Sequence, residues 1–146
     1  MKRLALLFFP FFLTGNPDWL TDYHEARVQA IEKKELILLN FSGSDWCSPC
    51  IQLKSRLFES AEFKDFSTSS LVLLNADFPR LKKNKPAREK ILQNEMLAEK
   101  YDPQGKFPYT ILLDPNGKVL MSWDGVPDIT PAAFVEQIKE VTNAHH

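Results

Sequence analysis

Two continuous apolar runs interrupt a chain whose other apolar positions mostly recur at helical spacing: "ELILLNF" (35–41) and "LVLLNADF" (71–78). Runs of this kind mark strands covered on both faces. Between them Ile51, Leu57 and Phe58 carry a helical period, and "SAEFKDF" adds a short helical turn opened by Ser60. A strand, a helix and a second strand predict parallel pairing through a right-handed crossover. Upstream, Leu20, Tyr23, Ala26, Arg27, Ala30 and Ile31 step by threes and fours, predicting a helix capped by Asp18 and closed near Lys33 and Lys34. Downstream, the basic stretch "PRLKKNKPAREK" leads into a helix through Ile91, Ala98 and Tyr101. "YTILLDPNGKVLMSW" then reads as an antiparallel hairpin, because Asp114-Pro115-Asn116-Gly117 is strong turn chemistry. Thr130 caps a last helix with Pro131 in its first turn and an apolar stripe of Phe134, Val135, Ile138 and Val141. The predicted order is helix, strand, helix, strand, helix, strand, strand, helix.

The first fifteen residues stand apart. In "MKRLALLFFPFFLTG", Lys2 and Arg3 precede ten apolar residues, Leu4 to Leu13, and Thr14-Gly15 offers a small residue for cleavage. Ten residues fall short of the ~20 needed to span a bilayer, so the segment reads as an export signal over 1–15. The remainder, 16–146, is one domain's length. A net charge of -1 and the lack of a Gly-rich phosphate loop exclude nucleic acid and other polyanions as leading partners.

Both cysteines lie in "SDWCSPC", where the first apolar run hands over to a helix. Cys47 at a helix N-terminus gains from unpaired backbone N–H groups and the helix dipole, which favour its thiolate. Cys50, one turn on, lies on the same side, so a small adjustment closes a Cys47–Cys50 disulfide. Cys47 can attack a substrate disulfide and Cys50 can resolve the product with no further cofactor. A metal site would need four ligands, and only His24 stands outside the C-terminal tail. A purely structural staple gains little from closing so short a loop. Redox chemistry is the favoured reading.

"DWCSPC" after a buried strand, "KFPYT" before another and the "DPNGK" turn resemble the thioredoxin superfamily from Asp18 onward. "LLNFSGSDWCSPC", "NADFPR" and "EKYDPQGKFPYTILLDPNGKVL" are similar to exported bacterial DsbH-type oxidoreductases. The resemblance implies an α/β thioredoxin fold: a central mixed four-stranded sheet flanked by helices, with an added N-terminal helix. It implies Cys47 as exposed nucleophile, Cys50 as buried resolving thiol, Trp46 as the flanking tryptophan and Pro108 as the cis-proline facing the cysteines. Phe107 would line the substrate groove, and Gly125 matches a small residue near the site.

The chain also departs from that pattern. Thioredoxins carry a buried aspartate beneath the resolving cysteine, whereas "LLNF" places Asn40 or Phe41 there, and neither accepts a proton. Asp45 or a water is then expected to act as base, and Asp77 to be a solvated strand end. No histidine adjoins Cys50, as in strong oxidants of the family, and Pro49 sits as in reducing thioredoxins. A nearby Asp45 charge would raise the Cys47 pKa. These features favour a periplasmic reductase acting as a monomer on disulfide-containing proteins, with a membrane thiol donor. An oxidase or isomerase of the same fold and a client-binding module are the alternatives. The basic stretch Arg80–Lys90 is by default a solvated face, with docking of an acidic partner as the other reading.

Overall fold

The structure, a computed structural model, describes residues 17–145; the export signal expected over 1–15 lies outside that range. The chain does not enter a helix at Asp18. Trp19–Leu20 form a short strand, β1, and helix α1 spans Tyr23–Lys33. Asp22 supplies the cap, its carboxylate accepting the Glu25 N–H at 2.9 Å. Trp19 instead packs its ring on Phe58, 4.9 Å between centroids. Helix α1 buries Ala26 and Ala30, small residues that seat it close to the sheet, while Ile31 is 58% exposed.

Strand β2 (Leu36–Ser42) leads to α2 (Ser48–Leu53), whose winding widens to a π-helical segment over Lys54–Phe58. Then come α3 (Ala61–Ser70), β3 (Leu71–Asp77), α4 (Arg88–Tyr101), β4 (Tyr109–Leu113), β5 (Val119–Asp124) and α5 (Pro131–His145). The turn expected after Ser60 is a full helix. Ser60 caps it by accepting the Phe63 N–H at 3.2 Å. The sheet has five strands where four were expected, in the order β1-β3-β2-β4-β5. Strands β1, β2 and β3 are parallel, and β4 and β5 are antiparallel to their neighbours. Two-residue β1 is the addition.

Because side chains alternate across a strand, β2 serves two cores. Ile37, Leu39 and Phe41 face Ala26 and Ala30 of α1 and Leu97 of α4. Leu36 and Leu38 face Leu53, Leu57, Phe58, Phe63 and the Phe134/Val135/Ile138 stripe of α5. On this second face the sheet changes character along its length. Leu38 lies beside Leu73 and Leu112, but two residues on Asn40 lies beside Asn75 and Thr110, and Ser42 beside Asp77. The polar end points toward the start of α2. At the far end, Gly117 turns the β4–β5 hairpin at φ +88, and a Cβ there would come within 2.7 Å of the Tyr101 hydroxyl.

Candidate active site

The turn between β2 and α2 is built on Gly43. Its carbonyl accepts the N–H of Cys47 at 2.9 Å and of Trp46 at 3.2 Å, folding the chain back before the helix begins. Cys47 is extended and caps α2, with Pro49 in the first turn, where a missing N–H costs nothing. The cysteines are joined by a disulfide, Cα–Cα 5.2 Å. The Cys50 N–H points at Cys47 Sγ from 3.2 Å. A donor held there favours a thiolate on Cys47 once the disulfide is reduced. Cys47, expected to be exposed, is 3% accessible, against 6% for Cys50. In the oxidised form both cysteines are therefore buried, although Cys50 still lines a surface cleft.

Trp46 is anchored on every side. Its indole N–H donates to the Phe78 carbonyl at 2.7 Å, its edge meets Phe107 at a centroid separation of 5.4 Å, and the Arg80 guanidinium lies 3.8 Å over its face. Only a glycine at 43 leaves room for the ring. Phe107 also packs on Phe78, again at 5.4 Å, so one aromatic group joins the end of β2, the end of β3 and the segment before β4. The Phe107–Pro108 peptide bond is cis. The Pro108 carbonyl accepts the Gly125 N–H at 2.9 Å, and Gly125 is there for its φ of +74 rather than for space.

The two aspartates near the motif do other work than expected. Asp45 is not turned to the thiols: its carboxylate accepts the backbone N–H groups of Arg80 and Leu81, both at 2.9 Å, and the Asn84 amide at 3.0 Å. The Arg80 N–H above all, with the other donors, holds the Asp45 carboxyl below the usual carboxylate range. A carboxylate so occupied is a poor base. Asp77 is no solvated strand end, since it accepts the Ser44 N–H at 2.8 Å and the Ser44 and Ser42 hydroxyls.

Neutral groups lie beside Cys50 instead. Thr110 donates to Asn40 Oδ1 at 3.0 Å, and the Asn40 amide donates to Asn75 Oδ1 at 3.2 Å. Ser42 Oγ lies 3.2 Å from Asn75 Oδ1 and 3.3 Å from Asp77 Oδ1, and its single proton serves one at a time. Asn40, Ser42, Asn75 and Cys50 line a cleft of about 480 Å³, walled by Trp19 and Phe58, with Lys54 at its side. By sequence alone Asn40 marks only an absent acid; the signal for this amide ladder is "LLN", which recurs in both apolar runs at positions that pair across the sheet.

A dithiol so arranged can exchange disulfides. In such an exchange a Cys47 thiolate would bond to one sulfur of a substrate disulfide and expel the other as a thiolate. A Cys50 thiolate would then bond to Cys47 Sγ, release the second substrate sulfur and close the disulfide, passing two electrons to the substrate.

A thioredoxin-like domain model matches residues 23–142. The disulfide bond reductase DsbH of Chlamydia pneumoniae is 34% identical over 125 residues, covering 86% of this chain and 72% of DsbH. The thioredoxin-related protein DsbJ of the same organism is 30% identical over 95 residues, which is 26% of its length. A solved DsbH oxidoreductase superposes with a TM-score of 0.81 at 29% identity, covering 97% of this chain and 95% of that one. A thioredoxin from Thermus thermophilus shares the fold, with a TM-score of 0.60 at 17% identity over 82% of both chains. With the family model spanning most of the described fold and a named disulfide reductase among its relatives, the chain belongs to the thioredoxin-like family and is a thiol:disulfide oxidoreductase of the DsbH type.

Proposed function

We propose that this protein reduces disulfides of protein substrates in the periplasm, through a mixed disulfide on Cys47 that Cys50 resolves, and is itself re-reduced by a membrane-bound thiol donor. The observation that carries the reading is the Cys47–Cys50 disulfide at the start of α2, next to Trp46, whose ring meets Phe107 of the cis Phe107–Pro108 bond. Extended substrate chains bind through backbone groups, and the candidate here is the backbone of Phe107 on the cis bond, since the Pro108 carbonyl is bonded to Gly125. Export is supported by the signal-like residues 1–15; among the described residues no helix is long and apolar enough to cross a membrane. The reducing direction is supported by Pro49 and by the absence of a histidine beside Cys50.

Equilibration of Cys47/Cys50 with glutathione tests the direction. The expected potential lies near the roughly -270 mV of thioredoxin, and a value near the roughly -120 mV of a strong oxidant overturns the reductase reading. Insulin reduction tests the exchange itself: Cys47→Ser should abolish it, and a wild-type rate no faster than buffer would favour a client-binding module.

A further inference from the structure

The basic stretch after β3 has a use that its charge alone does not explain. Residues 80–90 hold six cationic side chains and one acidic one in a chain of net charge -1, so the positive charge is concentrated here against an acidic remainder. Arg80, Lys82, Lys83, Lys85 and Arg88 are all exposed. None of the five is ion-paired among the described residues, whereas Lys90 is held by Asp22 at 3.4 Å. Leu81, in their midst, is 50% exposed.

A solvated face needs no particular anchorage, yet this one is fixed to the redox motif at two points. Asp45, two residues before Cys47, clasps Arg80, Leu81 and Asn84. Trp46, the residue before Cys47, carries the Arg80 guanidinium on its face at 3.8 Å. The Asp45 carboxylate is spent on backbone and amide donors, so it orders the loop and leaves the five cationic side chains without an ion-pair partner among the described residues.

We propose that Arg80, Lys82, Lys83, Lys85 and Arg88 form a docking surface for acidic segments that flank the disulfide of a protein partner, positioned by Asp45 and Trp46 so that the docked disulfide meets Cys47. The inference rests on the reading of exchange at Cys47 given above. The partner is a protein rather than a membrane surface, because the patch is tied to the residues beside the nucleophile. Opposite charge at a reaction site raises encounter rates, and salt screens the effect over about 8–10 Å.

The test uses reduced protein and three peptides that share one intrapeptide disulfide, flanked by Glu, Ser or Lys. At low ionic strength the Glu peptide should be reduced about tenfold faster than the Lys peptide, within the range that steering supplies. The ratio should fall toward one at about 0.5 M salt. In K82E/K83E/K85E it should invert, and in K82Q/K85Q take an intermediate value; it is read within each variant, with circular dichroism confirming the fold. A wild-type ratio within about twofold of one, against the tenfold or more that steering gives, or a ratio unchanged in both variants, overturns the proposal. So does charge-dependent binding to phosphatidylglycerol vesicles without any peptide preference. If the Ser peptide is not reduced either, the exchange reading itself has failed.

Discussion

Gly43→Ala should damage the site through one side chain. Gly43 is not in the left-handed region, so alanine fits its backbone, but the new methyl would overlap Cε2, Nε1 and Cζ2 of the Trp46 ring. The ring has nowhere to retreat while it is bonded to the Phe78 carbonyl, set against Phe107 and covered by Arg80. Lifting it off forfeits a hydrogen bond of about 1 kcal/mol, an aromatic pair of about 0.5–1.5 kcal/mol and a cation–π contact of about 0.5–1 kcal/mol. The expected loss is about 2–3.5 kcal/mol, an order-of-magnitude sum of those contacts. Urea unfolding of the oxidised protein would read it as a midpoint lowered by about 1 M or more. The control is the double-mutant cycle. In a Trp46→Ala background the alanine has no ring to strike, so Gly43→Ala should then cost less than about 0.5 kcal/mol. A full penalty that persists without the indole, or none with it, refutes the reasoning.

Three further outcomes follow from the same site. The fold lowers the Asp45 pKa, so its contribution to stability is present above the ordinary carboxylate range and is lost as pH falls through the lowered value; the protection of the Arg80 and Leu81 amides, taken relative to their intrinsic exchange rates, should therefore fall as pH drops below the ordinary carboxylate range. Asp45→Asn should speed Leu81 exchange already at neutral pH and leave the neutral-range pH profile of turnover unchanged, whereas a shifted profile would restore Asp45 as base. Asn40→Asp puts a buried carboxyl, its pKa raised by desolvation, at the position where thioredoxins carry their proton acceptor. Resolution of the mixed disulfide at pH 7, followed by stopped-flow fluorescence, should speed about tenfold or more, and an unaltered rate would mean the ladder has no bearing on that thiol.

What the chain disclosed in advance was local. The hairpin followed from Asp114 to Gly117, the last helix from Thr130 and Pro131, and the two buried strands from unbroken apolar runs, because each is dictated by neighbours a few residues apart. The dithiol was legible for the same reason. What stayed hidden was decided across the fold: Asp45 finds its donors 35 to 39 residues away, and Asn40 meets Asn75 only through strand register. The helix expected at Asp18 failed because Trp19 has a sheet edge and an aromatic core to join, and nothing in the local pattern announces either.

The change from leucine to amide along one face of the sheet has a consequence for how such a protein can diversify. Asn40, Asn75 and Thr110 stand on three paired strands, while Trp46, Arg80 and Phe107 belong to turns and connecting segments. On the readings proposed above, thiol acidity and partner choice would be written on separate pieces of backbone. Exchanging an amide for an acid or a methyl beneath Cys50 alters the driving force without reshaping the surface a partner meets, and recolouring the loop alters the partner without disturbing the driving force.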